Sequence, residues 1–167
     1  MINIVLLEPE IPSNTGNIGR TCVAAGARLH LIEPFGFRLN EKNLKRAGMD
    51  YWEELDVRQY LDYEDFLSQN PLARDSMFLA TTKAAKIYSD VCYPEECYIM
   101  FGKESAGIPE EILVKHHENC IRIPMGEGIR SLNLANSAAI VLYEALRQRG
   151  FADLCTEGKL HRLEWNE

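Results

Sequence analysis

Five short apolar or half-apolar runs punctuate the chain: Ile2–Leu7, Leu29–Ile32, Met77–Thr82, Tyr98–Gly102 and Cys120–Pro124, each ending in a turn or polar signal. Helical patterns fill the intervals, and that alternation leaves few architectures open. Strands separated by helices favour α/β, a parallel sheet flanked by helices on both faces. Asn14 is expected to cap a helix running from about Thr15 to Gly26. Asn40-Glu41-Lys42 should open a short helix that Gly48 closes, and Asp62–Gln69 reads as an acidic helix ended by Asn70-Pro71. Pro109-Glu110-Glu111 makes a good first helical turn, with Lys115-His116 in the last. The final long helix is expected from about Leu132 to Arg149, with Gly150 after it.

At 167 residues the chain has the size of one domain, since domains run to roughly 100–200 residues. A single unit over 1–167 is expected, with 152–167 as a polar tail. Hydrophobic residues at 46% and charged residues at 26% exclude disorder, collagen and repeat arrays. The longest charge-free stretch, Ser131–Tyr143, has 13 residues, short of the roughly 20 that cross a bilayer as a helix. Met1-Ile2-Asn3-Ile4-Val5 carries no basic segment and no small-residue cleavage site, so no signal peptide is expected. Five cysteines, an odd number without a C-x-x-C pair, read as free thiols of a cytoplasmic protein.

The net charge of −7 argues against nucleic acid, but its distribution reverses that reading. Arg20 to Arg46 holds six basic residues (Arg20, Arg28, Arg38, Lys42, Lys45, Arg46) against Glu33 and Glu41, whereas Asp50 to Ser76 holds eight acidic and two basic residues. A basic face on an acidic body can still grip phosphate, because the local field decides; two differently solvated surface stretches are the other reading. In the final helix Leu134, Ala135, Ala138, Ala139, Ile140, Val141, Leu142, Ala145 and Leu146 wrap most of the circumference. A surface helix shows one apolar stripe, so this one is covered on more than one side, either by a second subunit or as a central core helix.

Familiar phosphate-binding signatures fail. G-x-x-x-x-G-K-[ST] is absent, and Gly126-Glu127-Gly128 meets Ser131 where a dinucleotide fingerprint needs glycine. His116 and His117 are adjacent and cannot both face one ion from a regular helix, so no metal is expected. Ser131 lacks the setting of a hydrolase nucleophile. What remains are three clusters rich in glycine, asparagine and small residues, directly after expected strands: Glu8–Arg20, Phe101–Pro109 and Ile123–Ser137. In open α/β sheets ligands bind there.

The N-x-G-N-I-x-R, F-G-x-E-x-x-G-I and I-P-M-x-x-x-x-R-S-L-N-L-A-N-S-A-A-I segments resemble the three motifs of the SPOUT RNA methyltransferases, across Ile2 to Gly150. Within them the L-x-E-P-E-I-P-x-N-T-G-N-I opening is similar to the minimal tRNA (cytidine/uridine-34)-2′-O-methyltransferases. The resemblance implies a deep C-terminal trefoil knot, a homodimer packed through the final helix, and S-adenosylmethionine as methyl donor. It implies the anticodon stem-loop of leucine tRNAs as partner, with neither metal nor membrane. By the same resemblance Ala80, Thr81, Gly102, Ile123, Met125, Ser131 and Leu132 would line the cofactor pocket. Arg20 would be the catalytic residue, with Asn14, Glu104, Ser131 and Asn133 around it. A free arginine stays protonated at neutral pH, so Arg20 is read as orienting the 2′-hydroxyl and stabilising charge, with a desolvated base as the other role. Glu104 would hold Arg20 or a backbone amide, or simply sit as a helix-start carboxylate. Arg130 would clamp phosphate or pair with Glu127. The competing functions are methylation of another tRNA position or of rRNA, and a non-catalytic RNA- or nucleotide-binding module.

Overall fold

A computed structural model describes residues 1–37 and 51–165. Seven strands form one sheet: β1 (Ile2–Leu7), β2 (Arg28–Ile32), β3 (Val57–Tyr60), β4 (Met77–Ala80), β5 (Lys86–Ile87), β6 (Cys97–Phe101) and β7 (Cys120–Arg122). Their order is β3-β2-β1-β6-β4-β7-β5, and every pairing is parallel. Each of the five expected runs holds a strand, and the α/β class with a parallel sheet flanked by helices is as expected. The two strands without an apolar signature, β3 and β5, are the two edges. The expected helix after Asn40, and Arg38, Lys42, Lys45 and Arg46 of the basic stretch, lie outside the described residues.

The helices are α1 (Pro12–Ala25), α2 (Tyr63–Gln69), α3 (Ala73–Ser76), α4 (Glu110–Lys115) and α5 (Leu134–Gln148). β1 and β6 at the centre are buried along their whole length, because successive side chains point to opposite, equally covered faces. Ile4, Leu6, Leu29, Leu31, Ile99 and Phe101 pack under α1 and α5. Val5, Leu7, Ile32, Leu79 and Met100 face α2, α3 and α4 through Phe66, Leu67, Ala73 and Leu113.

Asp62 and Pro109 are the N-caps of α2 and α4, one residue before the helices begin, and two other helix starts differ further from expectation. Ile11, not Asn14, is the N-cap of α1, because Pro12 supplies a preset first-turn φ two residues earlier. Asn14 is thereby placed inside the helix and buried. In α5 the N-cap is Asn133, whose side chain accepts from the amides of Ala135 and Asn136, so Leu132 stays in the preceding loop. The apolar wrap of α5 divides into two faces. Ala135, Ala138, Val141, Leu142, Ala145 and Leu146 are buried in the chain's own core, whereas Ala139 and Ile140 are half-buried and Tyr143 is 43% exposed. Leu142, at 1% exposure, is a core residue of the single chain. After α5, Phe151 and Leu154 pack back on the α1–α5 layer.

Among the described residues no helix is long and apolar enough to cross a membrane. No group of three His, Cys, Asp or Glu side chains among them is arranged to hold a metal ion.

Candidate active site

The chain winds outward from β1 through β2 to β3, then crosses back past β1 to β4 and on to β5 at the far edge, before β6 fills the place between β1 and β4; the connections therefore diverge at the middle of the sheet. At such a switch point the loops beyond the carboxyl ends of the strands part and leave a crevice. A cleft of about 470 Å³ lies there, within the range of small-molecule sites, about 300–1,000 Å³. Ala80 and Thr81 enter it from the end of β4, Gly102 from β6, Ile123 and Met125 from β7, and Ser131 and Leu132 from the loop before α5. All seven candidates from the motif resemblance therefore share one wall system. Asn14, Glu104 and Asn133 line the same cleft.

The second motif loop is shaped by close backbone contact. A Cβ on Gly102 would fall 2.2 Å from both the Gly107 carbonyl carbon and the Ile108 nitrogen, so no side chain fits. The Gly107 amide donates to the Lys103 carbonyl at 2.8 Å and closes the loop. The Lys103–Gly107 segment is thus a compact unit that offers backbone groups to the cleft.

A chain of hydrogen bonds ties the three motif loops together. The Glu104 carboxylate accepts from the Glu10 amide at 2.9 Å, the Ile11 amide at 3.3 Å and Asn14 Nδ2 at 3.0 Å. Asn14 Oδ1 in turn accepts from Asn133 Nδ2 at 3.0 Å, while Asn133 Oδ1 caps α5. Of the roles open to Glu104 from sequence, the structure selects the backbone amide. Glu104, Asn14 and Asn133 thereby fix the relative positions of the loops after β1, after β6 and before α5. Asn14 does this from inside α1, where its buried amide has both a donor and an acceptor partner.

Arg20 is elsewhere. It follows Asn14 by six residues on α1, which at 1.5 Å and 100° per residue sets it about 9 Å along and on another face of the helix. Its side chain is exposed, its guanidinium lies 5.2 Å from the centre of the Tyr51 ring, and it is not among the cleft-lining residues. Ser131 and Arg130 are exposed on the loop leading to α5. His116 accepts or donates at 3.0 Å with the Tyr63 hydroxyl, and His117 is exposed beside Glu118.

Sequence reasoning missed Thr82 and Lys83, which line the cleft from beyond β4. It also missed the part played by Glu8 and Glu10. Lys103 Nζ donates to Glu8 at 2.5 Å, and Ser105 donates to Glu10 from its amide and its hydroxyl, each at 2.8 Å. The Ser105 hydrogen bonds hold the Glu10 carboxyl below the usual carboxylate range. Glu8 adopts a positive φ of 51°, a conformation that costs a non-glycine residue about 1 kcal/mol or more and clusters at functional sites.

Comparisons with known proteins bear on the family and the fold. The SpoU rRNA Methylase family model matches residues 1–143. A tRNA (cytidine(34)-2'-O)-methyltransferase of Escherichia coli K12 is 49% identical over 153 residues, covering 90% of this chain and 96% of that protein. A solved structure concerned with the 2-OH methylation of C/U34 on tRNA superposes with a TM-score of 0.82 at 41% identity, covering 90% of this chain and 97% of the other. An AdoMet-bound rRNA methyltransferase from Sinorhizobium meliloti gives a TM-score of 0.75 at 26% identity, over 87% of this chain and 56% of that one. By the family model and by its relatives alike, the chain belongs to the SpoU rRNA methylase family.

Proposed function

We propose that the protein methylates the ribose 2′-hydroxyl of the wobble nucleotide, cytidine or uridine at position 34, of leucine tRNAs, with S-adenosylmethionine as donor. The observation that carries this reading is the convergence of three motif loops on one cleft at the switch point of the sheet. The cleft residues suit the cofactor: Ala80, Ile123, Met125 and Leu132 offer apolar walls for a flat base, and the loop beginning at Gly102 offers backbone donors and acceptors. We assign Ala80, Thr81, Gly102, Ile123, Met125, Ser131 and Leu132 to cofactor binding.

The bound cofactor would supply an already electrophilic methyl group on a sulfonium, so the protein's task is alignment and the disposal of one proton. Asn14, Glu104 and Asn133 hold the loops at fixed separation, and Ser131 stands at the cleft mouth on the side from which α5 begins. Arg20, on the exposed face of α1, is assigned to the RNA: its planar fork orients the 2′-hydroxyl and an adjacent phosphate and balances developing negative charge. Arg130 is a second candidate for phosphate, within the same exposed loop as Ser131.

Several finer features belong to the same proposal. The chain over 1–167 acts as one cytoplasmic domain whose C-terminal part forms the deep trefoil knot, and it works as a homodimer. The half-exposed Ala139, Ile140 and Tyr143 face of α5 supports the dimer, because it continues the apolar wrap outward beyond the chain's own core. Tyr143→Glu should therefore give monomers that stay folded, read by light scattering, whereas a charge at the core position Leu142 would unfold the chain. A wild type that is monomeric at micromolar concentration would contradict the dimer. The function itself is tested by methyl transfer from labelled S-adenosylmethionine to a leucine tRNA transcript in the presence of chelator. Transfer is expected, and absence of both cofactor binding and transfer would refute the reading.

A further inference from the structure

The loops after β1 and β6 leave neighbouring parallel strands and run on side by side, yet no backbone ladder joins them. Side chains replace it, alternately from each side. Glu8 takes Lys103, Glu104 takes the Glu10 and Ile11 amides, and Glu10 takes Ser105. The last two steps are reciprocal: the side chain of each glutamate caps the backbone of the other's loop. Glu104 grips the base of the compact loop, whereas Glu10 grips its crest at Ser105 through both the amide and the hydroxyl.

Glu10 is itself held from behind. The Gly36 amide donates to the Pro9 carbonyl at 2.9 Å, and a Cβ on Gly36 would sit 2.7 Å from the Glu10 Cα. The Glu10 backbone is thus wedged between the segment after β2 and the Glu104 carboxylate. From that fixed point its side chain reaches the crest of the loop, where Ser105, Ala106 and Gly107 line the cleft and are all exposed.

We propose that Glu10 is a positioning residue, which sets the aperture of the cleft by pinning the Ser105–Gly107 crest from across the two loops. This rests on the reading of the cleft as the cofactor site, and it adds a residue that touches no reacting group. The role is geometric. Glutamine at position 10 can still accept the Ser105 amide with its carbonyl oxygen and donate to the Ser105 hydroxyl with its amide, so shape and both bonds survive the loss of charge. Alanine loses both. Because Glu10 contributes nothing to either apolar core layer, E10A should remain folded.

Two measurements on the full-length protein test this. Hydrogen exchange of the Ser105 and Gly107 amides, the two that are hydrogen-bonded in this loop, without any cofactor, should quicken at least tenfold in E10A and remain near wild type in E10Q. In steady-state methyl transfer, E10A should raise KM for S-adenosylmethionine about fivefold to twentyfold while kcat falls less than threefold; E10Q should recover most of that loss. S105A should reproduce part of the E10A effect, and the double variant E10A/S105A should be no worse than E10A alone. Unchanged exchange in E10A overturns the proposal, as does an E10Q that is as impaired as E10A, which would show that charge and not position matters. If wild type binds no S-adenosylmethionine but the exchange pattern is as expected, the clamp stands and the cofactor reading falls.

Discussion

Two polar clusters in this molecule are built from similar parts, one fully buried and the other only partly so. In one, Asn3 and His30 are both fully buried, with His30 Nε2 3.0 Å from Asn3 Oδ1 and His30 Nδ1 2.8 Å from the Tyr60 hydroxyl. Asn3 also donates to Glu96 and to the Cys97 carbonyl, and the rings of Tyr60, Phe66 and Tyr98 surround the imidazole. Every side-chain polar atom of Asn3 and His30 has a partner, and neither residue lines the cleft. In the other, Glu104, Asn14 and Asn133 also satisfy one another, but they do so by gripping the backbones of three loops around a cleft. A buried histidine with a shifted pKa would attract attention in a search for catalytic groups. Here the cluster at the cleft is marked instead by what it positions, the backbones of three loops.

The sharpest way to break this contrast lies outside both clusters. Arg20→Ala should lower single-turnover methyl transfer about 100-fold or more, while calorimetric affinity for S-adenosylmethionine stays within a factor of about three, because interactions made only in the transition state appear in turnover. Lysine should not rescue it, since a point charge cannot reproduce a two-pronged contact. Near-normal turnover in Arg20→Ala would make Arg20 a surface residue stacked on Tyr51.

Next in size is a paired test. Glu104→Ala leaves the Glu10 and Ile11 amides and the Asn14 side chain without their acceptor, at about 1–3 kcal/mol for each group that stays dry. It should weaken cofactor binding about tenfold or more. Asn3→Ala should instead cost about 1–3 kcal/mol of stability in urea unfolding, with kcat/KM per folded molecule unchanged. If Asn3→Ala lowered kcat/KM as much as Glu104→Ala, the distinction between the clusters would fail.

A third, smaller effect concerns pH. Burial, with Arg28 adding to it, pushes His30 down to about 3, whereas an unfolded histidine titrates near 6.5. As pH falls below 6.5 the unfolded chain takes up a proton that the folded chain refuses, so stability falls progressively toward pH 3, by up to about 1.4 kcal/mol per unit. From pH 7 to pH 5 the loss at this one site is about 2 kcal/mol, and His30→Gln should be correspondingly less pH-sensitive in urea unfolding over that interval. An identical pH slope in the two proteins would contradict it.

How much of this was legible in advance follows from burial. The interior strands announce themselves because both their faces are apolar, as in Ile2–Leu7. The edge strands β3, with exposed Arg58 and Gln59, and β5, with only Lys86 and Ile87, carry no such run. Asn14 looked like a cap because asparagine before a helical pattern usually is one; Pro12 moved the helix start and left Asn14 free to bridge Glu104 and Asn133. The cleft was legible through its motifs, whose glycines answer to real backbone approach at Gly102. The Glu10–Ser105 pair was not, since the two residues are 95 positions apart, and a carboxylate that caps a distant amide leaves no periodic trace in sequence.

The central claim is tested most directly by mapping 2′-O-methylation at nucleotide resolution in tRNA from cells with and without this protein. The account predicts that position 34 of leucine tRNAs loses its ribose methyl group when the protein is absent and regains it with wild type but not with Arg20→Ala. Unchanged methylation at position 34, with loss at some other tRNA or rRNA site, would contradict it.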